Sequence, residues 1–272
     1  MKKLVSILLV TYNSESFIKK TLYSCLNQTY KDIEILILDN YSSDRTVSLI
    51  KRQKDARLKL YQSNKNIGPY AGLNLLLKKS QGQYIAIQDH DDVWLPNKIK
   101  KQVAFLDNHA HDCIACGSSC WFYFERFKRL RMKKVSGYVD YVPHITLIFR
   151  KKNYLRYNLD SPLPEEDFQK KILGKEGKIY SIQKPLAIRR FGKDSQNLSR
   201  KRRLLKTKNL KQLLQLEKGR PIDLLNILIT PILSKFPFFD QVVRCFLFGK
   251  NYSIKEFAKE NPGLKKFINN TL

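Results

Sequence analysis

Tyr84-Ile85-Ala86-Ile87-Gln88-Asp89-His90-Asp91-Asp92-Val93-Trp94-Leu95-Pro96 is the stretch whose reading decides the fold. Tyr84–Gln88 is an apolar run of strand length, and it ends in three acids within four residues. Pro96 then sits near the first turn of a helical pattern carrying Ile99, Val103, Phe105 and Leu106, where its missing N–H does no harm. A strand that is apolar throughout, rather than alternating, is one covered on both faces.

The same unit recurs upstream. Leu4–Val10, Ile33–Leu38 and Leu58–Tyr61 read as strands; Ser14–Asn27, Asp44–Lys54 and Tyr70–Ser80 carry helical spacing of apolar residues. Short buried strands alternating with helices of this length predict a mostly parallel α/β sheet flanked by helices, Rossmann-like in layout. Ligands bind such sheets beyond the carboxyl ends of the strands. Those ends carry Thr11-Tyr12-Asn13, Asp39-Asn40 and Asp89-His90-Asp91-Asp92. Carboxylates gathered at a strand end suit a hard divalent cation such as Mg2+ or Mn2+. The competing reading of the same acids is a helix cap, with Asp92 satisfying free backbone N–H groups ahead of the next helix.

From residue 111 to 192 the pattern turns irregular and β-rich, with strands expected at Cys113–Cys116, Trp121–Glu125, Thr146–Arg150, Lys178–Ile182 and Pro185–Arg190. A helix starts near Pro164 and carries Glu165-Glu166-Asp167. Cys113, Cys116 and Cys120 lie among small and apolar residues without a fourth metal ligand at a useful distance, so a buried structural role is expected. After Ser199 the composition shifts: nine basic residues face a single acid, Glu217, between Arg200 and Arg220. The expected organisation is one α/β domain over 1–198, changing pattern near residue 110. Residues 199–272 then form a basic, amphipathic, helical extension.

Across all 272 residues, 51 Lys and Arg against 24 Asp and Glu leave a net charge of +27. Such an excess favours a large anionic partner: nucleic acid, an anionic membrane or a phosphorylated substrate. Five cysteines, an odd number, make no disulfide framework and point to a reducing cytosol. The apolar run behind Met1-Lys2-Lys3 is at the lower length limit for a signal peptide and lacks a small-x-small cleavage site, so it reads as a strand.

Taken in order, the landmarks resemble the family 2 glycosyltransferases of the GT-A fold. They are Val5–Asn13, Ile37–Thr46, Asn66-Ile67-Gly68 with Asn74, Tyr84–Pro96, Pro164–Asp167, Pro185–Arg190 and Asn197–Ser199. The resemblance covers about residues 3–199 and implies that 1–198 is a catalytic domain with a nucleotide-sugar-binding half (1–110) and an acceptor-binding half (111–198). It implies an inverting transfer of a sugar from a nucleoside-diphosphate sugar, UDP- or dTDP-linked by expectation, to an acceptor hydroxyl in bacterial surface polysaccharide or glycolipid synthesis. It assigns Thr11, Tyr12, Asn13, Asp39, Asn66, Gly68 and Asp89 to the donor. Asp91 becomes the direct ligand of a Mn2+ or Mg2+ ion, with Asp89 beside it in the metal motif. Asp167 matches the general base and Glu166 its neighbour.

Three positions depart from the family pattern: Leu73 where an Arg is common, Phe191 where many members have a metal-binding His, and Phe168-Gln169-Lys170-Lys171 after the Glu-Asp pair. They predict weaker metal dependence or an unusual donor, with Arg189 or Arg190 available as a charge clamp. The basic segment, with Leu204, Leu205, Leu210, Leu213 and Leu214 between cations, predicts a peripheral seat on the inner face of the cell membrane, apolar face down. A saccharide or lipid-linked acceptor suits that seat. Two readings compete: a nucleic-acid-binding protein, which the charge fits but no motif in the first 110 residues supports, and a non-catalytic membrane scaffold, resting on Leu73 and Phe191.

Overall fold

The computed structural model describes residues 3–125, 128–192 and 251–271. Its chain divides into two units: residues 1–122, 132–189 and 258–272 in one, and residues 123–131 and 190–257 in the other. The expected boundary near 198 and the basic segment 199–250 lie outside the described residues.

In the first unit, β1 (Val5–Thr11) lies at the centre, parallel to β2 (Ile33–Asp39) and β4 (Tyr84–Asp89). β3 (Leu58–Gln62) extends the sheet beyond β2, while β9 (Ile148–Arg150) pairs antiparallel with β4 and then with β6 (Cys113–Phe124). The order is therefore β6-β9-β4-β1-β2-β3. β1 and β2 are covered on both faces, which is why their sequences do not alternate. One core layer joins Ile7, Leu9, Ile35 and Ile37 to helices α1 (Ile18–Leu26), α2 (Thr46–Lys51) and α4 (Lys98–Asn108) through Leu22, Ile50 and Ile99. The opposite layer joins Leu8, Leu36 and Ile87 to α3 (Pro69–Lys79) through Leu73, Leu76 and Leu77.

Gly72 is required where α3 crosses the sheet: a Cβ there would stand 2.9 Å from a methyl of Val10. Gly68 opens the same helix at φ 82°, a left-handed conformation that glycine adopts without strain. The last described helix packs back on α1, with the rings of Phe267 and Tyr23 6.1 Å apart.

Two expected strand breaks are absent. Cys113–Cys116 and Trp121–Phe124 belong to one twelve-residue strand, β6, which ends before the expected Glu125 and whose small residues Gly117-Ser118-Ser119 are extended rather than looped. Gly117 allows close approach there, since a Cβ would meet Val142 at 2.4 Å. Likewise Lys178–Phe191 is one strand, β10, running through Pro185. That proline lies between the residues that pair with β8 (Gly137–Tyr138) and those that pair with β5 (Val93–Trp94). The helix expected at Pro164 begins there as α5 (Pro164–Asp167) and continues as a π-helical segment, Phe168–Leu173.

In the second unit β7 (Arg129–Lys133) pairs antiparallel with β11 (Asn251–Ser253), and Phe124 stacks on Phe191 at 5.2 Å. Among the described residues no helix is long and apolar enough to cross a membrane.

Candidate functional site

The carboxyl ends of β1 and β2 stand side by side, with Thr11 opposite Asp39. The loops that follow are knit together by side chains rather than by regular structure. Ser43 N donates to Asn13 Oδ1 at 2.9 Å, and Asn13 N donates to Ser42 Oγ at 2.9 Å. Asn40 reaches the other way, donating from Nδ2 to Asn66 Oδ1 at 2.9 Å and accepting from Ile67 N at 2.9 Å. Asn66 Oδ1 also accepts from Gly68 N at 3.0 Å. The sequence-predicted donor residues Thr11, Asn13, Asp39, Asn66 and Gly68 are thus gathered on one network, and Tyr12 stands among them 41% exposed.

Asp39 is the informative member. It is 2% exposed; its Oδ2 accepts from Ser42 N at 3.1 Å, while its Oδ1 has no hydrogen-bond partner. A buried acceptor without a donor is destabilising unless water or a ligand satisfies it.

The end of β4 forms a second group. Asp89 is next to β1, paired with Val10, and its Oδ1 lies 3.7 Å from His144 Nδ1. His144, on the 3-10 turn His144–Thr146, is 2% exposed, with Nε2 2.8 Å from the Tyr157 hydroxyl. Its Nδ1 also lies 3.9 Å from Glu165 Oε1. Glu165 in turn accepts from the hydroxyls of Tyr70 at 3.1 Å and Tyr141 at 3.3 Å. Arg189 joins from β10; Ile188 pairs with Val93, which brings Arg189 opposite Asp92.

The charges explain one another. Burial opposes the imidazolium of His144, yet Glu165 and Asp89 raise its pKa above the ordinary value. Burial likewise opposes the Asp89 carboxylate, but His144 and Arg189 bring its pKa below the usual range. Arg189 is held charged against burial by Asp92, Glu165 and Asp89. Asp91 goes the other way: burial, joined by repulsion from Asp89, raises its pKa. An acid raised in this manner is one whose charge lacks compensation, which suits a cation. Among the described residues no three His, Cys, Asp or Glu side chains are grouped to hold a metal ion. Asp91, with Asp89 beside it, could hold a metal ion only with further ligands supplied from outside these side chains, as by diphosphate oxygens.

The helix-cap reading of Asp92 does not survive. Helix α4 begins at Lys98 with Asn97 at its cap, and β5 separates it from Asp92. Asp92 is buried behind the strand end, where its carbonyl accepts from Gln88 Nε2 at 2.7 Å and Thr21 Oγ1 at 3.1 Å.

On α5 the three acids separate in space. Asp167 accepts from Ser161 Oγ and pairs with Lys171 at 2.9 Å; Ser161 first, then Lys171, lowers its pKa. Glu166 faces Lys170 at 3.8 Å. Glu165, not its neighbour Glu166, enters the group around His144. Glu165, the tyrosines around it and His144 are not among the residues that the sequence marks for the site. No local motif marks these residues, which come together from positions 70 to 189.

Other singled-out residues are structural. Asn74 clamps the backbone of Tyr157, donating to its carbonyl at 2.9 Å and accepting from its N–H at 2.7 Å. Leu73 is core, Trp94 is buried with Nε1 on Ile145 O at 2.8 Å, and Cys113, Cys116 and Cys120 are buried in β6. Of the two candidate clamps, Arg189 faces the acids; Arg190, in the second unit, pairs with Glu125.

Comparison with known proteins follows the same outline. The UDP-Glc:alpha-D-GlcNAc-diphosphoundecaprenol beta-1,3-glucosyltransferase WfaP of Escherichia coli is 41% identical over 105 residues, 39% of this chain and 42% of that protein. An uncharacterized glycosyltransferase of Haemophilus influenzae is 40% identical over 109 residues, 39% of this chain and 44% of its own length. The chain thus spans less than half the length of these curated relatives. Among solved structures, S. aureus TarS 1-349 in complex with UDP-GlcNAc superposes with a TM-score of 0.58 at 20% identity, over 71% of this chain and 60% of that one. The mannosyltransferase PcManGT of Pyrobaculum calidifontis, in complex with GDP-Man and Mn2+, gives 0.58 at 19% identity, over 75% and 61%. Both support the GT-A-like α/β fold. The profile described as "Glycosyl transferase family 2" matches residues 6–164, more than half of the sequence, and the chain belongs to that family.

Proposed function

We propose that this protein transfers a sugar from a nucleoside-diphosphate sugar to an acceptor hydroxyl with inversion, in the assembly of a bacterial surface polysaccharide or glycolipid. The observation that carries the reading is the unpartnered Oδ1 of buried Asp39 beside Thr11. It asks for a ring N–H, which uracil, thymine and guanine present and cytosine at N3 does not. UDP-Glc appears in the name of WfaP and UDP-GlcNAc in the TarS complex, which supports a UDP- or dTDP-linked donor here.

Thr11, Tyr12, Asn13, Asn66 and Gly68 would bound the nucleoside, with Asp89 toward the ribose. Asp91 would hold Mn2+ or Mg2+; bound there, the ion neutralises negative charge on the departing diphosphate. Arg189 supplies fixed positive charge at the same acids. Asp167 takes the proton from the acceptor hydroxyl, with Glu166 as its neighbour. An alcohol is a poor nucleophile until deprotonated, and its low pKa keeps Asp167 in the carboxylate form that a base needs. The acceptor is a saccharide, lipid-linked by analogy with the diphosphoundecaprenol acceptor in the name of WfaP. Nine cations between Arg200 and Arg220 would hold the enzyme against anionic headgroups on the inner face of the membrane.

The test is thermal stability against UDP, dTDP, GDP and CMP, each with and without Mn2+ or Mg2+. A ligand at 100 times its Kd adds about 2.7 kcal/mol. Stabilisation by UDP or dTDP, lost in Asp39→Asn and made metal-independent in Asp91→Ala, is the expected result. No shift with any nucleotide sinks the proposal. Asp167→Asn should keep donor binding and lose about 10²–10⁴-fold in turnover.

A further inference from the structure

Tyr41 is the most strained residue of the donor loops and among the most exposed. Its φ is +72°, a left-handed conformation that a bulky side chain rarely adopts. Its ring is 60% exposed, so no core packing offsets that strain. Among the described residues its hydroxyl has no hydrogen-bond partner and its ring stacks on no other.

The loop itself explains the conformation. Asp39 Oδ2 accepts from Ser42 N at 3.1 Å, closing a tight turn across Asn40 and Tyr41. Asn40 N donates to Thr11 O at 2.8 Å, and the Asn40 side chain is tied to the Asn66-Ile67 backbone and side chain. On the other flank Ser43 N is tied to Asn13. Both sides being anchored, residue 41 has to take the left-handed corner. Glycine would take it freely, and asparagine with little strain. A tyrosine there is a conformational cost with no compensation inside the protein. Strain of this kind points to function when it lies at a binding site.

A second exposed tyrosine follows the adjacent strand end. Tyr12 follows Thr11 directly, Tyr41 follows Asp39 by two residues, and Thr11 and Asp39 are register partners on adjacent strands. Two exposed tyrosines therefore follow the neighbouring strand ends that carry Thr11 and Asp39, whose Oδ1 is unpartnered. We infer that Tyr41 is a base-recognition residue, presenting its ring to the face of the nucleobase whose ring N–H is accepted by Asp39. This rests on the donor-binding reading given above.

The experiment measures binding of UDP and of inorganic diphosphate, with Mg2+, to wild type, Tyr41→Phe, Tyr41→Asn and Tyr41→Gly, alongside each protein's Tm. Stacking of one base on an aromatic side chain predicts a loss of about tenfold in UDP affinity for Tyr41→Asn and Tyr41→Gly. Tyr41→Phe keeps it. Inorganic diphosphate, which has no base, binds all four alike, and Tyr41→Gly is at least as heat-stable as wild type because the strain is gone. Opposite movement of Tm and affinity rules out misfolding as the cause. Wild-type UDP affinity in Tyr41→Asn overturns the inference alone, as does an equal loss in Tyr41→Phe. Failure of the wild type itself to bind UDP, dTDP or GDP overturns the donor reading and this inference with it.

Discussion

Replacing Lys98 by methionine should stabilise the protein, by an amount that shrinks as pH rises. Lys98 is fully buried at the start of α4, its Nζ without a hydrogen-bond partner and 3.9 Å from the centre of the Trp94 ring. Burial lowers its pKa from 10.5 to about 7, against a weak pull from the thiols of Cys116 on β6 and Cys25 on α1. Those thiols are pushed up to about 12 and do not titrate in the range concerned. The unfolded chain therefore binds a proton that the folded one releases, and wild-type stability climbs by ~1.4 kcal/mol per pH unit between the two pKa values. At pH 7 the accumulated deficit is about 4–5 kcal/mol. Methionine fills a similar volume without a charge, so the pH-dependent part of the gain is about 4–5 kcal/mol at pH 7 and vanishes near pH 10.5. Urea unfolding of both proteins at several pH values from 7 to 10 measures the difference directly, with all other titrations cancelling. A difference that stays flat with pH refutes the reasoning, and a destabilised variant at pH 7 refutes its sign.

Gly117→Ala should destabilise by about 1–3 kcal/mol in urea unfolding, because the added Cβ meets Val142 at 2.4 Å from β6, well inside contact distance. Asn74→Ala removes two hydrogen bonds to the Tyr157 backbone and should lose roughly 2 kcal/mol of stability, measurable in the same way. In Ser161→Ala the Asp167 carboxylate loses its first stabilising partner, so its pKa rises. If Asp167 is the base, the acid limb of the pH–rate profile then moves to higher pH, and an unmoved limb counts against that role.

The α/β half was legible because its rules are local. An apolar run of strand length followed by helical spacing repeats through Leu4–Leu106, and burial on both faces leaves a signal in composition alone. The polar strand ends marked Thr11, Asp39, Asp89 and Asp91 for the same reason, since a parallel sheet puts its ligands there. Beyond residue 111 the signal failed where neighbours decide. Gly117-Ser118-Ser119 reads as a loop yet extends within β6, and Pro185 reads as a break yet sits between two pairing stretches. The gathering of His144, Tyr157 and Glu165 around Asp89 left no trace in sequence, because Glu165 and His144 meet only when α5 and the turn before β9 converge on the end of β4. The chain alone carried the acids and the alternation of strands and helices. Which carboxylate faces His144, which arginine faces the acids and which residue bears the strain were settled by packing, through contacts between residues that are distant in sequence.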